Sequence, residues 1–572
     1  MKKKIFSFVL PNSLISDDAN SYLWYTEGVS MVSNKLNLRE GASVRFDAYH
    51  NFFPLHKYQQ ITNYSEFEVH IKGSGECVVD IVELQKDDFY IKQRVIKVQQ
   101  LSLPTNEGII ISSNSDLIYI KVSALSPVVI DNIYISAKIE SPNDVTLSYC
   151  ICSFNRENYV KSFVGNIAES LKEDPRIRFC LVLNGSDYKI SYPDNVDVIY
   201  NRNLGGAGGF TRGIVHSLLN KGKFSHVILA DDDITVSLES IFRTLALLEG
   251  IKREFSDCFI SGAMLSLDQP WLQYERKAVL TNRGFEHYGG GLDTRDNIKV
   301  IHDIINSVTP GLAGWWYCVI PIRVFEDFGL PLPIFVRGDD VEFSTRCGRR
   351  VISLNGICVW HEPFVKKYNE IMEDYYLVRN MSLISLIYSD VYRQIRRQFV
   401  IKKFLKNILI FDYVAAQFNI DAIKDVLEQK YHQDAESLHQ ELIQKLNQRL
   451  KSVPQWEGDD RVCYPSIQHS KLSTLLRIFL QYVFGIRFCE GFSGGGFERR
   501  ISTFVGRTHV ITYQGNYKFR CYKFSWLKAL QLCLEFSGLY VKFLLAEKKL
   551  IRDAVDFLDK SKDVQFWQKL FK

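Results

Sequence analysis

The stretch His226-Val-Ile-Leu-Ala-Asp231-Asp232-Asp233-Ile-Thr-Val236 decides the reading of this chain, because an apolar run ends there abruptly in three adjacent carboxylates. A short run bounded this way reads as a buried parallel strand, and in open α/β sheets ligands collect at the carboxyl ends of such strands. Three like charges in a row raise one another's pKa, so a cation is expected to neutralise them. A hard divalent metal with oxygen ligands, itself bound to a diphosphate, meets that need. Taken alone, three acids after a strand also describe a solvated turn; the sequence on either side favours a site.

Upstream, Thr146-Leu-Ser-Tyr-Cys-Ile-Cys152 is a near-continuous apolar strand, followed by Ser153-Phe-Asn-Arg156 and a helical stretch to about residue 171. Phe179-Cys-Leu-Val-Leu183, closed by Asn184-Gly-Ser186, and Val196-Asp-Val-Ile-Tyr200 are further strands. Strands alternating with helices call for a parallel, doubly wound α/β sheet with nucleotide-binding crevices at its strand ends. Next comes Asn201-Arg-Asn203-Leu-Gly205-Gly206-Ala-Gly208-Gly209-Phe-Thr-Arg-Gly213, leading into a helix. Its glycines would let backbone approach a ligand, and the helix N-terminus would offer N–H groups to phosphate; no GK[ST] follows, so this is not a Walker loop.

Downstream, Phe259-Ile-Ser-Gly-Ala-Met264 reads as one strand, with a long loop to about residue 313 and then Gly314-Trp315-Trp316. Asp339-Asp340 stands at the expected start of a helix, whose dipole would keep a carboxylate ionised as a candidate base; a plain helix cap is the other reading. Val359-Trp360-His361-Glu362 ends another strand, and its imidazole is a competent third donor to a metal held by two acids.

At 572 residues the chain exceeds one core. Residues 1–143 alternate apolar and polar in short runs separated by turns, which predicts an antiparallel β-sandwich that either binds carbohydrate or braces its neighbour. Residues 144–385 form the α/β unit, and 386–572 read as mainly helical with a β-hairpin over 502–524. Between residues 393 and 406, six basic residues lie among apolar ones, a pattern that suits an anionic membrane surface or a packed helix with a basic face. Residues 473–485 and 526–546 are apolar but interrupted by Arg477, Lys528, Glu535 and Lys542, so neither is expected to span a membrane. A net charge of +5 is too mild to argue for nucleic acid. Twelve scattered cysteines without a CxxC pair read as free thiols of a reducing compartment, and the N-terminal apolar run is too short for export, which suggests a cytoplasmic protein.

Taken together, Ser153-Phe-Asn-Arg156, Asn203 to Gly209, Asp231-Asp-Asp233, Gly314-Trp-Trp316, Asp339-Asp340 and Trp360-His361 resemble the inverting GT-A glycosyltransferases of family two. Among them the chain resembles in particular the polymerising galactofuranosyltransferase of the mycobacterial cell wall, and Tyr49-His-Asn-Phe-Phe-Pro54 and Leu377-Val-Arg379-Asn380 extend the likeness over roughly residues 40 to 385. The resemblance implies a GT-A fold with a Rossmann-like mixed sheet, in which Asp231, Asp233 and His361 bind Mn²⁺ or Mg²⁺ and Asp340 is the base. It further implies that Arg156, Asn184, Asn203, Asp232 and the glycines 205, 206, 208 and 209 meet a UDP-sugar, while Trp315, Trp316 and Asp339 meet the acceptor. Arg337-Gly338 departs from the family, which has Trp before the acid pair, so the acceptor side is expected to differ in shape. The implied donor is UDP-galactofuranose and the implied acceptor a lipid-linked surface glycan, such as an O-antigen or capsule, at the inner face of the membrane. A UDP-pyranose donor and a non-catalytic glycan-binding protein are the alternatives, and the C-terminal region suits self-association as well as membrane contact.

Overall fold

The computed structural model describes residues 1–11, 19–86, 90–188, 190–220, 222–281, 284–304, 309–362, 369–453, 471–486, 493–494, 501, 509–513 and 519–572. The α/β unit is built on an eight-stranded mixed sheet in the order Val196–Asn201, Ile177–Asn184, Leu147–Ser153, His226–Asp231, Cys318–Pro321, Phe259–Ser261, Arg350–Ile352, Thr309–Pro310. The first four are parallel and occur across the sheet as third, second, first, fourth. Parallel strands covered on both faces bury successive residues, which is why Leu147 to Ile151 and Val227 to Ala230 are buried without alternation. Strand order reverses between Leu147–Ser153 and His226–Asp231, and such a reversal opens a crevice at the carboxyl ends. Cys152 pairs with Asp231 there, so Ser153, Arg156 and the three acids share one crevice.

A second, five-stranded sheet runs Ile234–Val236, Cys358–His361, Ala263–Ser266, Leu272–Glu275, Leu292–Asp293. The single strand expected from Phe259 to Met264 is broken at Gly262, and its halves belong to different sheets. A Cβ on Gly262 would lie 2.8 Å from the Tyr317 ring, so the break needs a residue without a side chain. The loop expected up to residue 313 also holds structure: strand Leu272–Glu275, the ladder of Lys277–Thr281 with Gly284–Tyr288, and helix Asn297–Ile304.

The N-terminal strands form one ten-stranded antiparallel network instead of two separate sheets. Strand Ser65–Lys86 joins its halves, pairing with Val128–Lys138 up to Ser74 and with Ile91–Leu103 and Leu117–Ala124 from Gly75 and Cys77 onward. Of the two roles left open, the contacts support bracing. Asn355 Nδ2 donates to the carbonyls of Tyr49 and Phe52 at 2.9 and 2.6 Å, and Tyr49 Oη donates to Gln273 at 2.8 Å. His50 stacks on Trp360, the residue before His361, with ring centroids 5.6 Å apart.

Helices Leu377–Ile387, Ser389–Leu409, Tyr413–Leu427 and Trp526–Ser561 surround a separate apolar core. Of the hairpin expected over 502–524, strands His509–Tyr513 and Phe519–Lys523 pair antiparallel, and residues 502–508 and 514–518 lie outside the described residues. The basic stretch forms helix Ser389–Leu409, but Val400, Phe404 and Ile408 are buried in the core and Lys403 pairs with Asp374 at 3.3 Å. The side chains of 393–397 lie outside the described residues. Contrary to expectation, Trp526–Ser561 is long and apolar enough to cross a membrane by length and composition. Its interrupting charges are spaced widely enough to leave such a stretch.

Candidate active site

The turn Asp231-Asp-Asp233 carries the chain from the first sheet into the second. Ile234 pairs antiparallel with His361, and this register sets the imidazole against the acids. His361 Nε2 lies 3.5 Å from Asp231 Oδ2 and 3.2 Å from Asp233 Oδ1, and one ligand atom from each of the three lies within 4.8 Å of the others. His361 Nδ1 is 2.5 Å from the Glu362 carbonyl oxygen. That oxygen only accepts, so Nδ1 donates, which leaves Nε2 facing the two carboxylates as the ring atom that would bind a cation standing between them. Two carboxylates and an imidazole, with positions left open for substrate oxygens, fit Mn²⁺ or Mg²⁺. Among the described residues this is the one group that fits a metal ion.

The middle acid has other partners. Ser153 Oγ donates to Asp232 Oδ2 at 2.7 Å and Arg156 Nη1 to Asp232 Oδ1 at 2.9 Å, while the same Nη1 lies 2.6 Å from Asp233 Oδ2. Burial pushes the Asp232 carboxyl up and the Arg156 charge opposes it. Arg156 therefore supplies part of the neutralisation that the sequence assigned to a metal. Tyr188, which the sequence did not single out, fixes this corner: its hydroxyl accepts from the Arg156 backbone N–H at 2.6 Å.

The glycine stretch differs from expectation. The helix already begins at Gly205, so the glycines lie inside its first turns. A Cβ on Gly209 would sit 2.0 Å from Cys152 Sγ, on Gly208 2.2 Å from Leu204 Cβ, and on Gly205 2.2 Å from the Phe335 carbonyl. These three let the helix and its turn pack against the protein's own chain. Gly206 alone of the four lines the cavity, 3.8 Å from Asp339 by its would-be Cβ. Asn184 and Asn203, both buried, spend their side chains on the turn: Asn184 Nδ2 donates to Asn203 Oδ1 and the Gly205 carbonyl, and the Gly205 N–H donates to Asn203 Oδ1.

Asp231, Asp233, His361, Asp339, Asp340 and Arg156 all border one cavity of about 640 Å³. The acid pair opens helix Asp339–Cys347, directly after Gly338 at φ 87°. Burial outweighs the helix dipole expected to keep these groups ionised. It pushes Asp340 up to about 6 and, with the neighbouring Asp340 charge, Asp339 up to about 8. A dication at the triad would pull both back down. Pulled down in this way, Asp340 would be ionised at neutral pH and able to accept a proton.

Trp315 and Trp316 line the same cavity but are only 5% and 8% exposed, so they form its wall. Trp316 Nε1 donates to the Gly262 carbonyl at 2.8 Å, and Trp315 packs edge-on against Phe210 at 5.5 Å. The sequence reading missed Glu275 and His287, a carboxylate and an imidazole in contact in the cavity wall, because they belong to the strands hidden in the supposed loop. Arg337, the departure from the family pattern, also lines the cavity and pairs with Glu373.

No family model matches the chain. Over 252 residues it is 26% identical to galactofuranosyltransferase GlfT2 of Mycolicibacterium smegmatis, covering 41% of this chain and 38% of that protein. Over 147 residues it is 30% identical to galactofuranosyltransferase GlfT1 of Mycobacterium tuberculosis, covering 25% of this chain and 43% of that one. The chain thus matches about two fifths of the length of these curated relatives. Among solved structures, the mannosyltransferase PcManGT of Pyrobaculum calidifontis is 12% identical, covering 54% of this chain and 82% of that one with a TM-score of 0.29.

Proposed function

We propose that the chain is an inverting, metal-dependent galactofuranosyltransferase that moves galactofuranose from UDP-galactofuranose to a hydroxyl of a growing lipid-linked surface glycan. The observation that carries this reading is one cavity that gathers Asp231, Asp233 and His361 with the buried acid Asp340, in a chain similar over 252 residues to galactofuranosyltransferases.

Asp231, Asp233 and His361 would hold Mn²⁺ or Mg²⁺, which when bound supplies positive charge to the departing diphosphate. Arg156 and Asp232 meet the nucleotide at the strand ends, and Gly206 lets the donor approach the helix start that Asn184 and Asn203 hold in place. Trp315, Trp316 and Asp339 wall the acceptor side. Asp340 takes the proton of the acceptor hydroxyl as its oxygen bonds to the anomeric carbon, while the bond from that carbon to the UDP oxygen breaks. Attack from the face opposite the leaving UDP inverts the centre in one step, so positioning and charge stabilisation do the catalysis and no enzyme nucleophile is required. The acceptor's lipid places this work at the cytoplasmic face of a membrane, with the chain peripheral to it.

The test offers UDP-galactofuranose and UDP-galactose separately, with Mn²⁺, to a synthetic galactose-terminated lipid acceptor and reads products by mass spectrometry. Transfer from the furanose donor alone is expected, and Asp340→Asn is expected to lose about 10²- to 10⁴-fold while still binding UDP. Transfer from the pyranose donor alone would overturn the donor assignment, and an active Asp340→Asn would overturn the base.

A further inference from the structure

Two C-terminal helices present apolar side chains to solvent. On Lys471–Phe484, Leu472, Leu475, Leu476 and Phe479 recur on one helix face and are 52 to 79% exposed. On Trp526–Ser561 the outward row is Leu527, Leu530, Leu534, Val541 and Leu545, 42 to 83% exposed. The opposite stripe of that helix, with Leu532, Phe536 and Phe543, is buried in the helical core, where Phe536 stacks on Phe404 at 4.0 Å. Trp526 Nε1 donates to the Tyr482 carbonyl at 3.0 Å and ties the start of one helix to the end of the other.

The charge around these rows has one sign. Lys471, Lys523, Lys528, Lys542, Lys548 and Lys549 are exposed, against a single exposed acid, Glu535, among the described residues of 471–484 and 519–549. Leucines that enter an acyl boundary, flanked by lysines that meet phosphate head groups, suit an anionic bilayer. A two-fold contact with a second copy would lay the same patch on itself and oppose its lysines, so the charge selects a lipid surface. Crossing the bilayer does not fit, because one stripe of the long helix is already packed on protein and Lys528, Glu535 and Lys542 interrupt the other.

We propose that Lys471–Phe484 and the first half of Trp526–Ser561 form the face by which the chain lies on an anionic membrane. The proposal rests on the reading of a membrane-borne acceptor, and it moves the contact away from residues 393–406, of which Val400 and Phe404 face the core. Leu377 and Met381 of helix Leu377–Ile387 line the cavity, and that helix packs on Trp526–Ser561, so docking would bring the cavity wall close to the acceptor's lipid.

Flotation of the full chain with vesicles of phosphatidylcholine alone, or of phosphatidylcholine with phosphatidylglycerol, tests it. Binding to the anionic vesicles only, weakened by salt, is expected. The combined Leu527→Ser, Leu530→Ser, Leu534→Ser variant should bind roughly tenfold more weakly or worse, since each leucine removes apolar area from the contact. A second variant, Lys528→Gln with Lys542→Gln and Lys548→Gln, should lose the anionic preference while leaving the apolar row intact. Unchanged flotation of both variants, or none by the parent, overturns the proposal; a parent that self-associates in light scattering through these leucines without floating assigns the face to a second copy. Flotation without glycosyl transfer would uphold the face and count against the transferase, and transfer to a soluble acceptor without flotation would do the reverse.

Discussion

Replacing Asn380 should slow transfer without weakening donor binding. Its side chain is fully buried, and Nδ2 donates to the carbonyls of Ile334, Val336 and Arg337 at 3.0, 2.7 and 2.8 Å. Arg379 adds Nη2 to the Ile334 carbonyl and Nε to Asn380 Oδ1, each at 2.9 Å. The clamped strap is strained, because Phe335 and Arg337 hold φ of 70° and 69°. A left-handed residue with a side chain costs about 1–2 kcal/mol, or roughly 2–4 kcal/mol for the two. The two N–H groups of Asn380, shared among the three carbonyls, at a net 0.5–1.5 kcal/mol each supply roughly 1–3 kcal/mol, so clamp and strain nearly balance. Asp339 and Asp340 follow this strap directly, and without the clamp it relaxes and carries the base away. A shift of about 1.4–2.8 kcal/mol lowers the competent fraction 10- to 100-fold. Steady-state kinetics should therefore show kcat down by about that factor, while calorimetry shows UDP binding with Mn²⁺ within about twofold, since the triad hangs on other strands. Asn380→Asp keeps the volume but turns donors into acceptors, and should fall at least as far as Asn380→Ala. An Asn380→Asp protein with unchanged kcat would mean that only volume matters there, and would dispose of the clamp.

Other expectations concern the metal, the acids and the glycines. Mn²⁺ at about a hundred times its Kd should stabilise the folded chain by about 2.7 kcal/mol in thermal melts, and His361→Ala should abolish that gain; an equal gain in the variant would place the ion elsewhere. In the metal-free protein, Asp340 and Asp339 are raised to about 6 and about 8 from an ordinary 3.8. The folded state thus keeps protons that the unfolded state releases, so their contribution is full below the ordinary value and lost as pH climbs through 6 and then 8. Melts across that window should show a fall that Asp339→Asn makes shallower; parallel curves for the two proteins would contradict the raised value. Gly209→Ala, which drives a methyl against Cys152 Sγ, should destabilise by about 1–3 kcal/mol. Gly206→Ala, with its nearest neighbour 3.8 Å away, should melt like the parent but bind UDP more weakly, and calorimetry would separate the two.

How far the sequence could be read depended on what each kind of residue reports. Carboxylates are costly to bury, so Asp231, Asp233 and Asp340 after apolar runs already pointed to a site, and the cavity does gather them. The strand pattern around them likewise foretold the four parallel strands, because doubly covered strands lose their alternation, but not the antiparallel Cys318–Pro321 beside them, which makes the sheet mixed as the resemblance implied. Glycines report only that something comes close. Gly208 and Gly209 looked like a ligand's cradle, yet what comes close is Leu204 and the Cys152 strand. An apolar helical stripe is equally mute about its partner: residues 393–406 and 527–545 are both interrupted by charge, and only packing shows that Phe404 faces the core while Leu545 faces out. The pairing of Ile234 with His361, 127 positions apart in the chain, has no local signature at all. The triad is therefore a product of sheet register. A one-residue slip of that ladder would turn His361 to the other face of the sheet and leave the carboxylates without their third donor, while changing no residue that the sequence could have flagged.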